Sequence, residues 1–189
     1  MAVKEKFMIG VTGMQGSGKA AVRQVAEIIG YSTVVMGDEV REEAKRRNME
    51  STPGNLGKLM LKLRDEEGPA AIAKRCIPKI EKAKSNIVII DGVRSQAEVE
   101  EFKKHFKDLT LIAVHASPKT RFQRLFHRER TDAPGSWQTF IERDIRELNL
   151  GLGVVIASAD YMIVNEGTKE QVRQKAREVL EDVARKWMK

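Results

Sequence analysis

Gly13-Met14-Gln15-Gly16-Ser17-Gly18-Lys19 fits the spacing G-x-x-x-x-G-K, and the chemistry of that spacing is phosphate binding. Glycines let the backbone curl until several N–H groups point inward, a concavity suited to anions. A helix starting at the lysine adds partial positive charge, and Lys19 adds a full one. The flanks agree: Phe-Met-Ile-Gly-Val at 7–11 reads as a short buried strand, and 20–29 has helix composition. One position departs from the pattern. Where a Ser or Thr hydroxyl usually meets Mg²⁺, this chain has Ala20, and Ala21 follows it. Magnesium is then held mainly through waters and another residue, or metal use is weakened.

Four other stretches carry polar groups to the ends of apolar runs. In Gly37-Asp38-Glu39-Val40-Arg41, Asp38 is placed as a helix N-cap and Arg41 falls in the first turn. An arginine there opposes the helix dipole, which favours an anion partner. In Asp91-Gly92-Val93-Arg94, a carboxylate ending a buried strand can hold Mg²⁺ through water. Gly92 allows close backbone approach, and Arg94 can fork onto a phosphate. Plainer readings stand beside these: a turn carboxylate for Asp91, solvated surface arginines for Arg41 and Arg94. Arg121, Arg124 and Arg128 share one helix face, with Arg130, Arg143 and Arg146 beyond them. Phosphoryl transfer develops charge on the phosphoryl oxygens, and arginines on a closing segment stabilise it; a solvated helix face is the alternative. In Asn165-Glu166-Gly167-Thr168-Lys169, a tight turn can pack its backbone on a nucleotide base, or Thr168 can simply cap the last helix.

The elements that must position these groups alternate. Apolar runs of strand length lie at 7–11, 33–36, 86–90, 109–115 and 161–164. Helical patterns cover 20–29, 39–47, 56–66, 70–83, 96–106, 119–128, 137–148 and 170–187. Ile-Val-Ile-Ile at 87–90 and Leu-Ile-Ala-Val at 111–114 are continuous, as suits strands covered on both faces of a parallel sheet. An α/β sandwich follows, with ligands expected beyond the carboxyl ends of the strands. Two segments exceed a simple crossover. The stretch between the second and third runs has breakers at Pro53-Gly54 and Gly68-Pro69, and room for two or three helices over a second substrate. The arginine-rich 121–159, with its loop Thr131-Asp132-Ala133-Pro134-Gly135-Ser136, suggests a closing lid.

At 189 residues, with 41% apolar and 32% charged, the prior is one globular domain spanning 1–189. No apolar run approaches the ~20 residues a membrane span needs, and the N-terminus does not read as a signal peptide. The single cysteine, Cys76, excludes an internal disulfide, fits a reducing cytoplasm and reads as a small helix residue. His105, His115 and His127 are scattered, without metal-ligand spacing. The net charge of +7 suits nucleic acid or a site that collects phosphates; 5% aromatic residues give base stacking little support.

Taken in order, Gly13 to Lys19, Gly37-Asp38-x-x-Arg41, Asp91-Gly92-x-Arg94, the arginine-rich segment and Gly167-Thr168-Lys169 resemble the nucleoside monophosphate kinases. Adenylate kinase and dephospho-coenzyme A kinase are the nearest named relatives. Arg143-Asp144-Ile145-Arg146-Glu147-Leu148 and Ala159-Asp160-Tyr161-Met162-Ile163-Val164-Asn165 look more closely like a largely archaeal family of adenylate-kinase-related proteins, over nearly the whole chain. The resemblance implies a three-layer α/β/α sandwich on a five-stranded parallel sheet, the P-loop nucleoside triphosphate hydrolase fold of the nucleoside monophosphate kinase type. It implies an acceptor-binding insert at 38–83 and a lid at 121–158. The implied activity is transfer of the ATP γ-phosphate, assisted by Mg²⁺, to a small mononucleotide-like acceptor such as AMP.

By the same resemblance, Gly13, Met14, Gln15, Gly16, Ser17, Gly18, Lys19 and Ala20 would hold the donor phosphates. Gly167 and Thr168 would face adenine. Asp38, Arg41, Gly92 and Arg94 would bind the acceptor, and Asp91 would position Mg²⁺ through water. Lys19, Asp91, Arg124, Arg128 and Arg143 would act on the transferring group. Adenylate kinases also lack a hydroxyl directly after the lysine, but carry threonine one place later, where this chain has Ala21. Dephospho-coenzyme A kinases keep the hydroxyl, so Ala20 argues against that activity. Two other readings stay open. Ala20, Ala21 and the basic balance suit a nucleotide-binding regulator or weak NTPase acting with a protein or RNA partner. A sugar or shikimate-type kinase would keep the loop and lid without needing both Arg41 and Arg94.

Overall fold

A computed structural model of the chain describes residues 5–127 and 134–187. Five strands, β1 (Phe7–Thr12), β2 (Ser32–Val35), β3 (Ile87–Asp91), β4 (Asp108–His115) and β5 (Tyr161–Val164), form one sheet in the order β2-β3-β1-β4-β5. Every pairing is parallel, with Val11 of β1 level with Asp91 of β3 and Ile112 of β4. The register brings the phosphate loop, which leaves β1, and the Asp91-Gly92 turn, which leaves β3, to the same end of the sheet.

The continuous apolar runs are explained by two cores. Met8, Val88, Ile90 and Leu111 face one side, packed by α2 (Met36–Arg46), α4 (Ala71–Glu81), α5 (Gln96–His105) and α8 (Leu152–Ala157). Ile9, Val11, Ile89, Ile112 and Ile163 face the other, under α1 (Lys19–Ile28) and α9 (Lys169–Trp187). The middle of β3 alternates between these cores, Val88 and Ile90 toward the first and Ile89 toward the second, which keeps it apolar. This is the expected α/β/α sandwich. Cys76 is buried in the first core, and burial pushes its thiol up, as suits a packing residue.

Helix ends follow local chemistry. In α3 (Pro53–Glu67), Thr52 Oγ1 accepts from the Asn55 N–H at 3.3 Å, proline takes the first position, and Gly68 at φ 93° ends the helix. In α6 (Pro118–Phe126), Ser117 and Pro118 do the same. Thr168 caps α9 and receives a reciprocal contact: its own N–H donates to Gln171 Oε1 at 2.9 Å.

Two expectations are corrected. The helix expected from Glu39 starts at Met36, with Val35 at its N-cap and no side-chain cap, so Asp38 is not a cap but a residue of the first turn. And 152–157, read without an element, forms α8: Gly151 at φ 92° starts it, and Leu152 and Val155 are buried. Among the described residues, no helix is long and apolar enough to cross a membrane.

Candidate active site

The loop between β1 and α1 is shaped by close packing. Gly13 has φ 140°, and a Cβ there would stand 2.2 Å from the Val114 carbonyl oxygen of β4. Gly18 has φ 103°, and a Cβ there would stand 2.2 Å from Asn165 Nδ2. No other residue type satisfies both the left-handed backbone and the contact. Asn165 is what fixes the far side: Nδ2 donates to the Ser17 carbonyl at 2.8 Å, and its own N–H donates to the His115 carbonyl at 2.7 Å. Lys19 folds over the loop, Nζ donating to the Gly13 carbonyl at 2.6 Å and the Met14 carbonyl at 3.2 Å. Burial pushes its ammonium down to about 8, with Asp91 and Glu147 opposing that shift and Arg94 and Arg121 adding to it.

Asp91 ends β3 and is buried, with Oδ2 at 3.4 Å from Arg23 Nη1. Gly92 turns away at φ 106°, its N–H donating to the Val11 carbonyl at 2.9 Å. Arg94 follows, and its backbone N–H donates to Glu98 Oε2 at 2.8 Å. Glu98 is fully buried and also accepts from Arg64 Nη2 at 2.7 Å, tying α3 to the start of α5. The motif Ser95-x-x-Glu98 carries the signal for that residue: Ser95 caps α5, accepting from the Glu98 N–H at 3.3 Å.

Beside these groups opens a cleft of about 420 Å³ between α2, α3, the turn after β3 and α7 (Trp137–Asn149). One wall is apolar, from Met36, Val40, Leu56, Met60 and Ile72. Arg41, Arg64, Arg94, Arg143 and Arg146 line the rest, against Glu98 and Glu147. Gln15 of the phosphate loop reaches its rim, so the loop and the cleft adjoin.

α7 is pinned across this opening. Arg121 of α6 is buried and holds Asp144 of α7 with two prongs, at 2.8 and 2.5 Å. It also donates to the Gln15 carbonyl at 3.2 Å and lies 4.9 Å over the Phe140 ring. Phe122, Trp137 and Phe140 close the α6–α7 contact edge to face or tilted. Arg146 reaches α3, where a Cβ at Gly57 would lie 3.8 Å from Nη1, and Glu147 pairs with Arg94.

The sequence-derived candidates divide accordingly. Gly92, Arg94, Arg41 and Arg143 meet at the cleft; Lys19 and Asp91 meet at the phosphate loop. Arg124 joins them indirectly: Nη2 donates to Asn165 Oδ1 at 3.2 Å, while buried Nη1 finds no partner among the described residues. Asp38 lies off the cleft, half exposed, and bonds Arg41 at 2.5 Å. Gly167 and Thr168 lie on the turn after Asn165, which Glu166 ties to α6 by accepting from Thr120 Oγ1 at 2.6 Å. Arg128, Arg130 and the loop residues 131–133 lie outside the described residues. Arg64 and Glu98 are not among the sequence-derived candidates, and Asp144, Glu147 and Asn165 stand there only as motif members without a role.

The chain's relatives agree with this architecture. A family model described as an AAA domain matches residues 12–140. The UPF0200 protein of Pyrococcus furiosus is 48% identical over 86% of this chain and 90% of its own length. That of Methanocaldococcus jannaschii is 44% identical over 94% and 90%. The chain belongs to the UPF0200 family. Among solved structures, a shikimate kinase from Bacteroides thetaiotaomicron matches with a TM-score of 0.64 at 16% identity, covering 93% of this chain and 98% of that one. A gluconokinase from Sinorhizobium meliloti matches with a TM-score of 0.59 at 15% identity, covering 100% and 98%. This UPF0200 chain thus has the P-loop kinase fold.

The residues present fit a nucleoside triphosphate. The glycine-shaped loop, the first turn of α1 and Lys19 would supply N–H groups and a cation to phosphate oxygens. A magnesium ion brought with the nucleotide would supply charge neutralisation between its phosphates. Asp91, buried at the end of β3, would hold its waters, and Ala20 and Ala21 offer no hydroxyl. Among the described residues, no three His, Cys, Asp or Glu side chains group as a metal site.

Proposed function

We propose that this protein is an ATP-dependent, magnesium-assisted phosphotransferase whose acceptor is a mononucleotide-like molecule such as AMP. The observation that carries this reading is the cleft itself: five arginines and an apolar wall adjoining the phosphate loop. A ring stacks on Met36, Val40 and Met60, while its anionic group meets Arg41, Arg94 and Arg143. Lys19 holds the donor phosphates, and Arg124, Arg128 and Arg143 act on the transferring group. Asp91 orients the waters of the metal. Gly167 and Thr168 lie beside adenine. On this reading the helices at 38–83 form the acceptor insert and 121–158 the lid. Positioning and electrostatics suffice, without a covalent enzyme intermediate. The buried single cysteine suits a reducing cytoplasm.

Chromatography of products after incubation with Mg-ATP, with and without AMP, tests it. ADP formed from AMP, and its loss by at least ~10²-fold in Lys19→Ala, is the expected result, with Arg41→Ala mainly raising the AMP requirement. Ordinary turnover by Lys19→Ala overturns the reading. Ala20 and Ala21 favour a second reading, a nucleotide-binding regulator or weak NTPase working with a protein or RNA partner. In that case ATP hydrolysis is slow and indifferent to AMP.

A further inference from the structure

The acceptor cleft already contains an anion, and it belongs to the protein. Glu147 Oε1 accepts from Arg94 Nη1, the guanidinium assigned above to the acceptor's phosphate. The pair joins α7 to the turn after β3, with 20% and 36% of the two side chains still exposed. Glu147 Oε2 is buried and has no hydrogen-bond partner among the described residues. A covered carboxylate oxygen without a donor is a standing cost that weakens the net hold of the contact. Glu147 also lies close enough to Lys19 to act on its charge, so it stands where the phosphate loop and the cleft meet.

Resting on the kinase reading, we propose that Glu147 is the protein's own stand-in for the acceptor's phosphate. It occupies Arg94 until a phosphomonoester dianion replaces it, and so restricts anionic acceptors to that class. Glu147 holds Nη1, so an anion that grips the guanidinium of Arg94 with both prongs must displace this tethered carboxylate, which is present at high effective concentration. A carboxylate ligand brings one charge and exchanges like for like. A phosphomonoester brings nearly two charges at neutral pH and three oxygens, enough to engage Arg94 together with Arg41 or Arg143. A neutral ligand does not need Arg94 and is unaffected. Displacement also removes one tie on α7, four residues along the same helix face from Arg143, so acceptor binding and lid position are coupled through this contact.

Calorimetric titration of AMP, adenosine 5′-carboxylate and adenosine into the wild-type protein, Glu147→Gln and Glu147→Ala decides the matter. Both variants are expected to bind AMP about two- to fivefold more tightly. Binding of the carboxylate should become measurable, and adenosine affinity should not change. Thermal melting identifies any variant that fails to fold, and the other then carries the test. AMP affinity unchanged or weakened, or an equal gain for adenosine, overturns the stand-in role while leaving AMP phosphorylation by the wild type intact. If AMP binds none of the three proteins although Mg-ATP does, the acceptor reading fails, and this inference with it.

Discussion

Two arginine–carboxylate pairs hold α7, on Asp144 and Glu147, and they are built to opposite ends. Arg121–Asp144 is buried on both sides, at 4% and 11% side-chain exposure, and two-pronged. Two further Arg121 N–H groups are used as well, Nε on the Ala116 carbonyl at 3.1 Å and Nη1 on the Gln15 carbonyl at 3.2 Å. Arg94–Glu147 is single-pronged, half open and leaves a carboxylate oxygen without a partner among the described residues. Two charges out of water are tolerable only when every donor and acceptor is matched. With four of its five guanidinium N–H groups matched, the first pair comes near that condition and fixes α6 and α7 to the phosphate loop. The second does not, and it is the one facing the cleft. The same helix thus carries a permanent anchor and a contact that a ligand can replace.

The sharpest way to break this contrast is Asp144→Ala. It leaves the buried Arg121 guanidinium without its carboxylate and is expected to cost ~3–5 kcal/mol, or roughly 10 °C in melting temperature for a chain of this size. Unfolding in urea and by heat measures both. Glu147→Ala should cost no more than ~1 kcal/mol in the same experiment, because both partners keep access to water. Equal losses from the two substitutions would mean that the pairs do not differ in kind.

The smallest expected effect is on pH. Burial holds the Lys19 ammonium at about 8 against an ordinary value of 10.5, and Glu147 is among the groups that raise it. Lys19 is charged below that value, so capture of Mg-ATP is expected to be full near pH 7 and to weaken as pH rises past 8. In Glu147→Gln the midpoint should move lower, since one supporting anion is gone, whereas Lys19→Arg should abolish the fall. A fluorescent nucleotide titrated between pH 7 and 9.5 reads the change. A profile flat across that range in the wild type would remove Lys19 from the titration.

What could be read before folding was whatever depends on neighbours in the chain. The phosphate loop is legible because strand, glycines, lysine and helix are consecutive, and the Ser117-Pro118 helix start is legible for the same reason. Arg94 is legible as the end of Asp-Gly-x-Arg after an apolar strand. Asp38 misled because its type suits a cap, yet Met36 and Val40 are both buried and draw the helix start back into the core. No element is expected at 152–157 from the sequence, whereas Gly151 starts α8 and Val155 is buried behind it.

The sequence by itself determined the alternating sandwich, the glycine-rich loop after β1 and the arginine supply, since periodicity and local spacing are written in consecutive residues. Only the tertiary structure decided which arginines are spent and which remain to meet a ligand. Arg121 finds Asp144 23 positions away, Arg64 finds Glu98 34 away, and Arg94 finds Glu147 53 away. A charge is the same letter in the chain whether paired or open. Its partner, and the water it keeps, are set by which elements the sheet brings together.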